Sequence, residues 1–203
     1  MSTVQPIRDK ETVAQMARDF RMMSERNYLF FCMGVYSGLR VSDLVTLQVW
    51  MVRKQTHISL IEQKTKTTTK RPKRKKFVIH PDIYDDLQAY VKDMEDSDYL
   101  FASRQRKTKT GERGKPINRA TAYRMLNKVA KRYGLKEIGC HTLRKTWGYQ
   151  LLVSTDPREA AFVLALLMDM FNHSDPQYTL RYLGLTQDAM DDAIRGLSYT
   201  KFT

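Results

Sequence analysis

The chain has 203 residues and a formal net charge of +13, from 35 Lys and Arg residues against 22 Asp and Glu residues. This length supports a single domain with a sizeable core, and the excess of positive charge favours a polyanionic partner, with nucleic acid ahead of an anionic membrane. Two cysteines without a CxxC pair indicate neither a disulfide framework nor a zinc site. The first residues lack the apolar stretch of a signal peptide, and the longest apolar run, residues 160–168, is too short to cross a bilayer. We therefore expect a soluble, cytoplasmic protein.

The first part of the chain predicts two helices and an arginine held behind them. Residues 9–22 place apolar side chains at helical spacing after Asp9, a residue type that caps helix N-termini. Residues 28–38 are apolar and predict a core helix that ends near Gly38. Arg40 follows this end, so we expect it to lie rigidly in a cleft. The alternative is an arginine that only neutralises the helix dipole.

The next stretch predicts a β-hairpin around a basic loop. Residues 57–63 and 75–80 alternate and are rich in β-branched and aliphatic side chains, as in paired strands. Between them, eight of the thirteen residues from 64 to 76 are basic. A charge run of this kind is usually a solvated loop, but it is also suited to phosphate contact.

The remaining elements are predicted to be helices. A proline opens an amphipathic helix at residue 81, and Asn118 or Thr121 caps a helix that reaches Gly134. Further helices are predicted at 141–153, at 158–170 as an apolar floor behind the motif residues, just before Gly184, and at 186–197. The pattern therefore predicts a mainly α fold with a small antiparallel β-sheet, an α+β class.

Four side chains in the last third of the chain have spacings that suit one anion-binding site. His141 and Arg144 are three residues apart and project from one face of a helix. His173 lies in a turn, and Tyr182 follows nine residues later on a short helix. Each of these is weak evidence alone, because a helical histidine is more often an ordinary surface or core residue.

The motifs that contain these residues resemble those of the tyrosine recombinase catalytic domain, in the phage integrase family. The matching segments are SGLRVSDLVTL, EQKTKT, HTLRKTWG and NHSDPQYTLRYLG, in the order of the family. The resemblance implies the recombinase fold over residues 1–203 as one catalytic domain, without the N-terminal core-binding domain of the family.

The resemblance also implies the catalytic residues Arg40, Lys64, His141, Arg144, His173 and Tyr182, with Asp43 as a supporting acid. The DNA contacts we expect are Lys66, Lys70, Arg71, Lys73, Arg119, Arg124 and Lys145. The family's hairpin lysine is either Lys64 or Lys66, which lie on the same face of a strand.

The implied chemistry is strand transfer through a covalent 3′-phosphotyrosine, without a metal or another cofactor. Arg40 and Arg144 neutralise the phosphate through forked guanidinium groups, which lysine cannot imitate. His141 acts as base or orienter, His173 donates to the phosphate, and Lys64 protonates the departing 5′ oxygen. Tyr178 is a competitor for the nucleophile, but the interval and the sequence RYLG favour Tyr182.

Some features depart from the family or leave alternatives open. Asn172 stands where the family usually has glycine, which affects the placement of His173. The implied partner is double-stranded DNA, with a tetramer on DNA and a monomer or dimer free of it. The alternatives are a topoisomerase of type IB, which shares the chemistry, and a basic DNA-binding module that has lost catalysis.

Overall fold

The protein is described by a computed structural model that covers residues 4–63, 74–103 and 114–197. Its helices are α1 (Lys10–Met23), α2 (Glu25–Ser37), α3 (Val41–Leu44), α4 (Pro81–Val91), α5 (Arg119–Ala130), α6 (Thr142–Val153), α7 (Ala160–Phe171), α8 (Pro176–Leu183) and α9 (Leu185–Arg195). Short 3-10 helices cover Val49–Met51 and Lys131–Tyr133. The strands β1 (His57–Leu60) and β2 (Lys75–Val78) form one antiparallel pair, so the predicted α+β class is confirmed.

Helix α2 is the central element of the main core. Leu29, Phe30 and Phe31 are all 0% exposed, so this helix is apolar on almost every side. It packs against α1, α4 and α6. Because each fully buried aliphatic or aromatic side chain stabilises the fold by about 1.5–3 kcal/mol, α2 is a rigid support for the residues that follow it.

The predicted helix starts are mostly confirmed by their caps. The Asp9 carboxylate accepts from the N–H groups of Glu11 and Thr12, and the Asn118 side chain accepts from the N–H of Thr121. Helix α2 begins earlier than the apolar pattern indicated, because the Ser24 hydroxyl accepts from the N–H of Asn27 and adds a first turn.

The hairpin carries its two strands to the edge of the core. His57 pairs with Val78, and Leu60 pairs with Lys75. Ile58 and Phe77 face each other and are buried, which holds the hairpin against the helices. Gln63, three residues after the end of β1, lies beside α3, because its N–H donates to the Asp43 carboxylate at 2.7 Å.

Residues 4–8 run along α6 and attach to it through its polar side chains. The Thr146 hydroxyl accepts from the N–H of Ile7 at 2.9 Å, and the Gln150 side chain donates to the Arg8 carbonyl at 2.6 Å. The side chain of Ile7 is 1% exposed. This segment thus covers one side of α6.

Helices α7 and α8 meet α6 over a second, smaller core. Its buried members are Val163, Leu167, Phe171 and Leu183. Gly148 of α6 permits the contact, because a Cβ at this position would lie 2.8 Å from Phe171 Cζ and 2.9 Å from Leu183 Cδ2. Across the described part of the chain, no helix has both the length and the apolar character that crossing a membrane requires.

Candidate active site

Arg40 and Arg144 meet at the buried carboxylate of Glu62. Glu62 is 1% exposed and its Oε1 accepts from Nη1 of Arg40. The same oxygen lies 3.4 Å from Nη1 of Arg144. The two arginines lie 104 residues apart in the chain (144 − 40), and a shared carboxylate oxygen brings their guanidinium groups together. This contact holds the Arg40 guanidinium in place; that Arg40 lies in a cleft stays a prediction.

Arg144 is fixed by two further carbonyl groups. Its Nη1 donates to the Gly38 carbonyl at 2.6 Å, and its Nη2 donates to the Met170 carbonyl at 2.6 Å. Gly38 ends α2 with φ +64°, where glycine is favoured, and a Cβ there would lie 2.3 Å from the Trp147 ring. Glycine at this position therefore lets α2 approach α6 and present a carbonyl to the guanidinium.

His141 immediately precedes α6, and Arg144 lies in the first turn of that helix. The helix begins at Thr142, one residue later than predicted, but His141 has helical dihedral angles, so the three-residue relation to Arg144 is kept. Burial lowers the pKa of the His141 imidazole, and the positive charges of Arg119, Arg144, Arg40 and Lys145 lower it further. The side chain still reaches solvent. A neutral imidazole at pH 7 can accept a proton.

His173 is positioned by the end of α7. The N–H of Asn172 donates to the Asp169 carbonyl and the N–H of His173 to the Met168 carbonyl, a Schellman arrangement. This arrangement requires a left-handed residue, and Asn172 adopts it with φ +58°. Asparagine tolerates that conformation better than most residues, so the departure from the family's glycine keeps the backbone turn. The His173 ring is oriented by Thr179, whose hydroxyl lies 3.0 Å from Nδ1.

Tyr182 lies on α8 and is partly buried beside these groups. Burial raises the pKa of its phenol, while the positive charges of Arg144 and Arg40 act to lower it. The competitor Tyr178 is 64% exposed on the same helix.

Phe171 joins these residues into one cluster and was missed in the sequence. Its ring centroid lies 5.0 Å from that of Tyr182, 5.4 Å from that of His173 and 5.9 Å from that of Trp147. The Arg144 guanidinium carbon lies 4.9 Å from the same ring centroid. At the end of an apolar run, Phe171 had no feature that distinguished it from ordinary core.

Lys145 differs from its predicted role as a DNA contact. It is 5% exposed, and its Nζ donates to the Val4 carbonyl at 2.7 Å. The ammonium lies 4.8 Å from the centroid of the Tyr182 ring. This lysine points inward because α6 turns that face toward residues 4–8, so it contacts the candidate nucleophile rather than the surface.

Asp43 and Lys75 complete the surroundings of Glu62. Asp43 is 1% exposed and accepts from the N–H of Gln63 at 2.7 Å, so it braces the chain beside Glu62. Burial raises the pKa of the Asp43 carboxyl. Lys75 on β2 donates to the carbonyls of Asp169 and Met170 at 2.9 and 3.2 Å. Glu62 and Lys75 were not predicted; the signal for Glu62 was a single acid inside the EQKTKT motif.

The remaining predicted residues fall into two groups. Arg119 and Arg124 lie on α5 and are exposed. The others lie outside the described residues and stay predictions: Lys64, Lys66, Lys70, Arg71 and Lys73.

The fold is shared with solved recombinases. The XerA recombinase superposes with a TM-score of 0.64 at 20% identity, over 96% of this chain and 65% of that chain. XerH bound to a palindromic difH substrate also gives 0.64, at 14% identity, over 96% of this chain and 53% of that chain. The catalytic domain of bacteriophage HP1 integrase gives 0.55 at 14% identity, over 98% and 99% of the two chains. These similarities define a tyrosine recombinase catalytic-domain fold.

The chain belongs to the phage integrase family, whose model matches residues 8–188. The probable integrase/recombinase YoeC of Bacillus subtilis is 37% identical over 188 residues, which cover 93% of both chains. A tyrosine recombinase of Pseudothermotoga lettingae is 27% identical, over 90% of this chain and 58% of that protein. The family resemblance seen in the sequence is confirmed.

Proposed function

We propose that the protein is a site-specific DNA recombinase that cuts and rejoins strands through a covalent 3′-phosphotyrosine on Tyr182. The observation that carries the proposal is the arrangement of Arg40, Arg144, His173 and Tyr182 around Glu62 and Phe171. A phosphodiester resists attack because it is anionic, and two adjacent guanidinium groups are suited to stabilise the charge of its transition state.

Each proposed step has a group to perform it. The phenol of Tyr182 is protonated at neutral pH, as phenols ordinarily are, and its raised pKa makes deprotonation harder still. Attack therefore requires a base, and the neutral imidazole of His141 is the candidate. The phenol oxygen bonds to phosphorus as the bond to the 5′ oxygen breaks. His173 donates to a phosphate oxygen, and Lys64 or Lys66 gives the 5′ oxygen its proton. The energy of the cleaved bond remains in the phosphotyrosine, so religation reverses the same steps.

The proposed partner is double-stranded DNA. Among the structural neighbours, XerH is bound to its difH substrate and the Tn1549 transposon integrase is in complex with circular intermediate DNA. By analogy, we propose that this protein assembles as a tetramer on DNA and acts at the nucleoid, in the cytoplasm of a bacterium. Arg119 and Arg124 on α5 are proposed phosphate contacts because both are exposed on one basic helix.

A nicked suicide duplex tests the proposal. It carries the candidate site from the genomic neighbourhood, and it loses the short 5′-hydroxyl fragment on cleavage, so the covalent protein–DNA adduct accumulates. We expect the wild-type protein to form an adduct that resists denaturation, and Tyr182→Phe to bind the duplex but form none. Tyr178→Phe is the control and should react like the wild type, because this side chain is exposed. If Tyr182→Phe forms an adduct and Tyr178→Phe forms none, the nucleophile is Tyr178.

A supercoiled plasmid without the site separates recombination from relaxation. A recombinase leaves this plasmid supercoiled, whereas a type IB topoisomerase relaxes it.

A further inference from the structure

Glu62 is a buried acid surrounded by cations from separate parts of the fold. Its Oε1 contacts Nη1 of Arg40 and lies 3.4 Å from Nη1 of Arg144. Its Oε2 lies 3.7 Å from Lys75 Nζ and 3.5 Å from Asn172 Nδ2. The carboxylate therefore links the turn after α2, helix α6, strand β2 and the turn after α7.

The location of Glu62 excludes direct contact with DNA. Its side chain is 1% exposed, whereas the Arg40 side chain is 14% exposed and forms the outer part of the pair. A carboxylate would also repel a phosphate. Glu62 can thus act on a phosphodiester only through the groups that it holds.

The carboxylate offsets the repulsion between the cations that it contacts. Burial lowers the pKa of Arg144, and the positive charge of Arg40 lowers it further, so the two guanidinium groups oppose each other. One oxygen that accepts from both Nη1 atoms fixes their separation. Because a transition state is stabilised by donors that are already oriented, a fixed separation matters more for cleavage than for binding.

We infer that Glu62 is a positioning residue that sets the spacing of Arg40 and Arg144 for the scissile phosphate, with Lys75 and Asn172 holding its second oxygen. This inference rests on the proposed function. Asn172 contributes through its amide, which accepts from Lys75 Nζ at 3.2 Å and which a glycine at this position would lack.

The test compares Glu62→Gln with the wild type on the suicide duplex. The glutamine side chain keeps the shape of glutamate but loses its negative charge. One carboxylate oxygen, an acceptor, becomes an amide NH₂ group, a donor that faces the donors around Glu62. We expect single-turnover cleavage to fall by about 10–100-fold, because a displacement of about 1 Å in the groups that hold the phosphate can cost about 10²-fold. The dissociation constant for the uncut duplex, measured in the Tyr182→Phe background, should change by less than about threefold, since surface phosphate contacts dominate affinity.

Three further variants separate positioning from folding. Glu62→Asp keeps the charge and should recover part of the lost rate. Asp86→Asn is the control for an arginine–carboxylate pair at the surface, because Asp86 is 36% exposed, pairs with Arg21 and accepts from the phenol of Tyr28. Its cleavage rate should equal that of the wild type. Combining Glu62→Gln with Arg40→Lys should give less than the product of the two single effects, because both act on one contact.

The outcomes distinguish this inference from the proposed function. A wild-type protein that forms no adduct contradicts both. If the wild type reacts and Glu62→Gln cleaves equally fast, the inference alone is overturned. The same holds if the wild type reacts and the effects of the Glu62 and Arg40 substitutions multiply independently. If Glu62→Gln does not fold, Glu62→Asp provides the test. A Glu62→Asp variant that folds and cleaves like the wild type, although its side chain is shorter, also overturns the inference.

Discussion

The imidazole of His141 is held neutral by its surroundings, and this sets the acid limit of the proposed reaction. Burial and four neighbouring cations lower its pKa below the ordinary value of about 6.5. A base with a lowered pKa keeps accepting protons as the pH falls, and it is lost only when the pH drops through the lowered value. We therefore expect the single-turnover cleavage rate to hold from pH 8 to about 6.5 and to decline only below that.

The variant His141→Asn assigns this acid limit. It should lower the rate by about 10²–10⁴-fold, the usual contribution of a general base, and it should abolish the decline at low pH. Cleavage rates of both proteins across pH 5 to 9 provide the measurement. A decline that persists in His141→Asn would show that another group sets the acid limit.

At the level of single residues, the sequence predicted the groups that the family motifs contain and, apart from Asp43, missed those that support them. Arg40, Arg144, His173 and Tyr182 stand in recognisable motifs. Glu62 and Lys75 gain their importance from contacts across more than 80 residues of chain, and Phe171 gains its importance from contacts with Arg144 and Tyr182. No local pattern encodes these contacts. Lys145 was predicted to contact DNA but is buried, because a basic residue in a motif does not reveal which face of its helix is covered.

At the level of elements, α8 is held by a small core that is separate from the main one. In this small core, Phe171 of α7 and Leu183 of α8 lie against Gly148 of α6. The apolar helix α7 was predicted as a floor behind the motif residues, and Val163, Leu167 and Phe171 do form a buried face. Its Phe162 is 66% exposed, however, so only one side is covered. Composition predicted an apolar helix but could not predict how many of its sides have neighbours.

The substitution Gly148→Ala tests whether this packing positions the nucleophile. The added Cβ would lie 2.8 Å from Phe171 Cζ and 2.9 Å from Leu183 Cδ2, so α7 or α8 must shift. We expect the free energy of unfolding to fall by about 1–3 kcal/mol, as for other overpacked cores. Adduct formation should fall by about 10–100-fold, since small displacements of a nucleophile are costly.

Gly196→Ala is the matched control for this change. Gly196 has an ordinary φ of −70°, and a Cβ there would meet only backbone atoms at 3.4 Å. Urea denaturation and suicide-substrate cleavage of the two variants provide the comparison. Equal adduct formation in Gly148→Ala and the wild type would show that α8 is positioned by other contacts.

At the level of the whole molecule, the fold class and the order of elements could be predicted from hydrophobic periodicity and helix caps. The contacts between segments that are distant in the chain could not be predicted in this way. Residues 4–8 illustrate the difference. They are short and lack a periodic pattern, yet Arg8 pairs with Asp188 of α9 and Val4 holds Lys145 against Tyr182. The first and last described segments thus meet near the proposed nucleophile, and only the folded chain reveals it.

The net charge of +13 predicts that DNA binding depends steeply on salt, and exposed residues on α5 test where the charge acts. For duplex DNA, log Kobs falls with log[salt] by about 0.9 per phosphate contacted. Arg119→Ala and Arg124→Ala should each reduce that slope by about 1 and weaken binding similarly on specific and unrelated duplexes. Arg158→Ala is the control, because this arginine has an 88% exposed side chain paired with Asp156 in the turn before α7. An equal loss of slope in all three variants would mean that the total charge, rather than a surface formed by α5, determines binding.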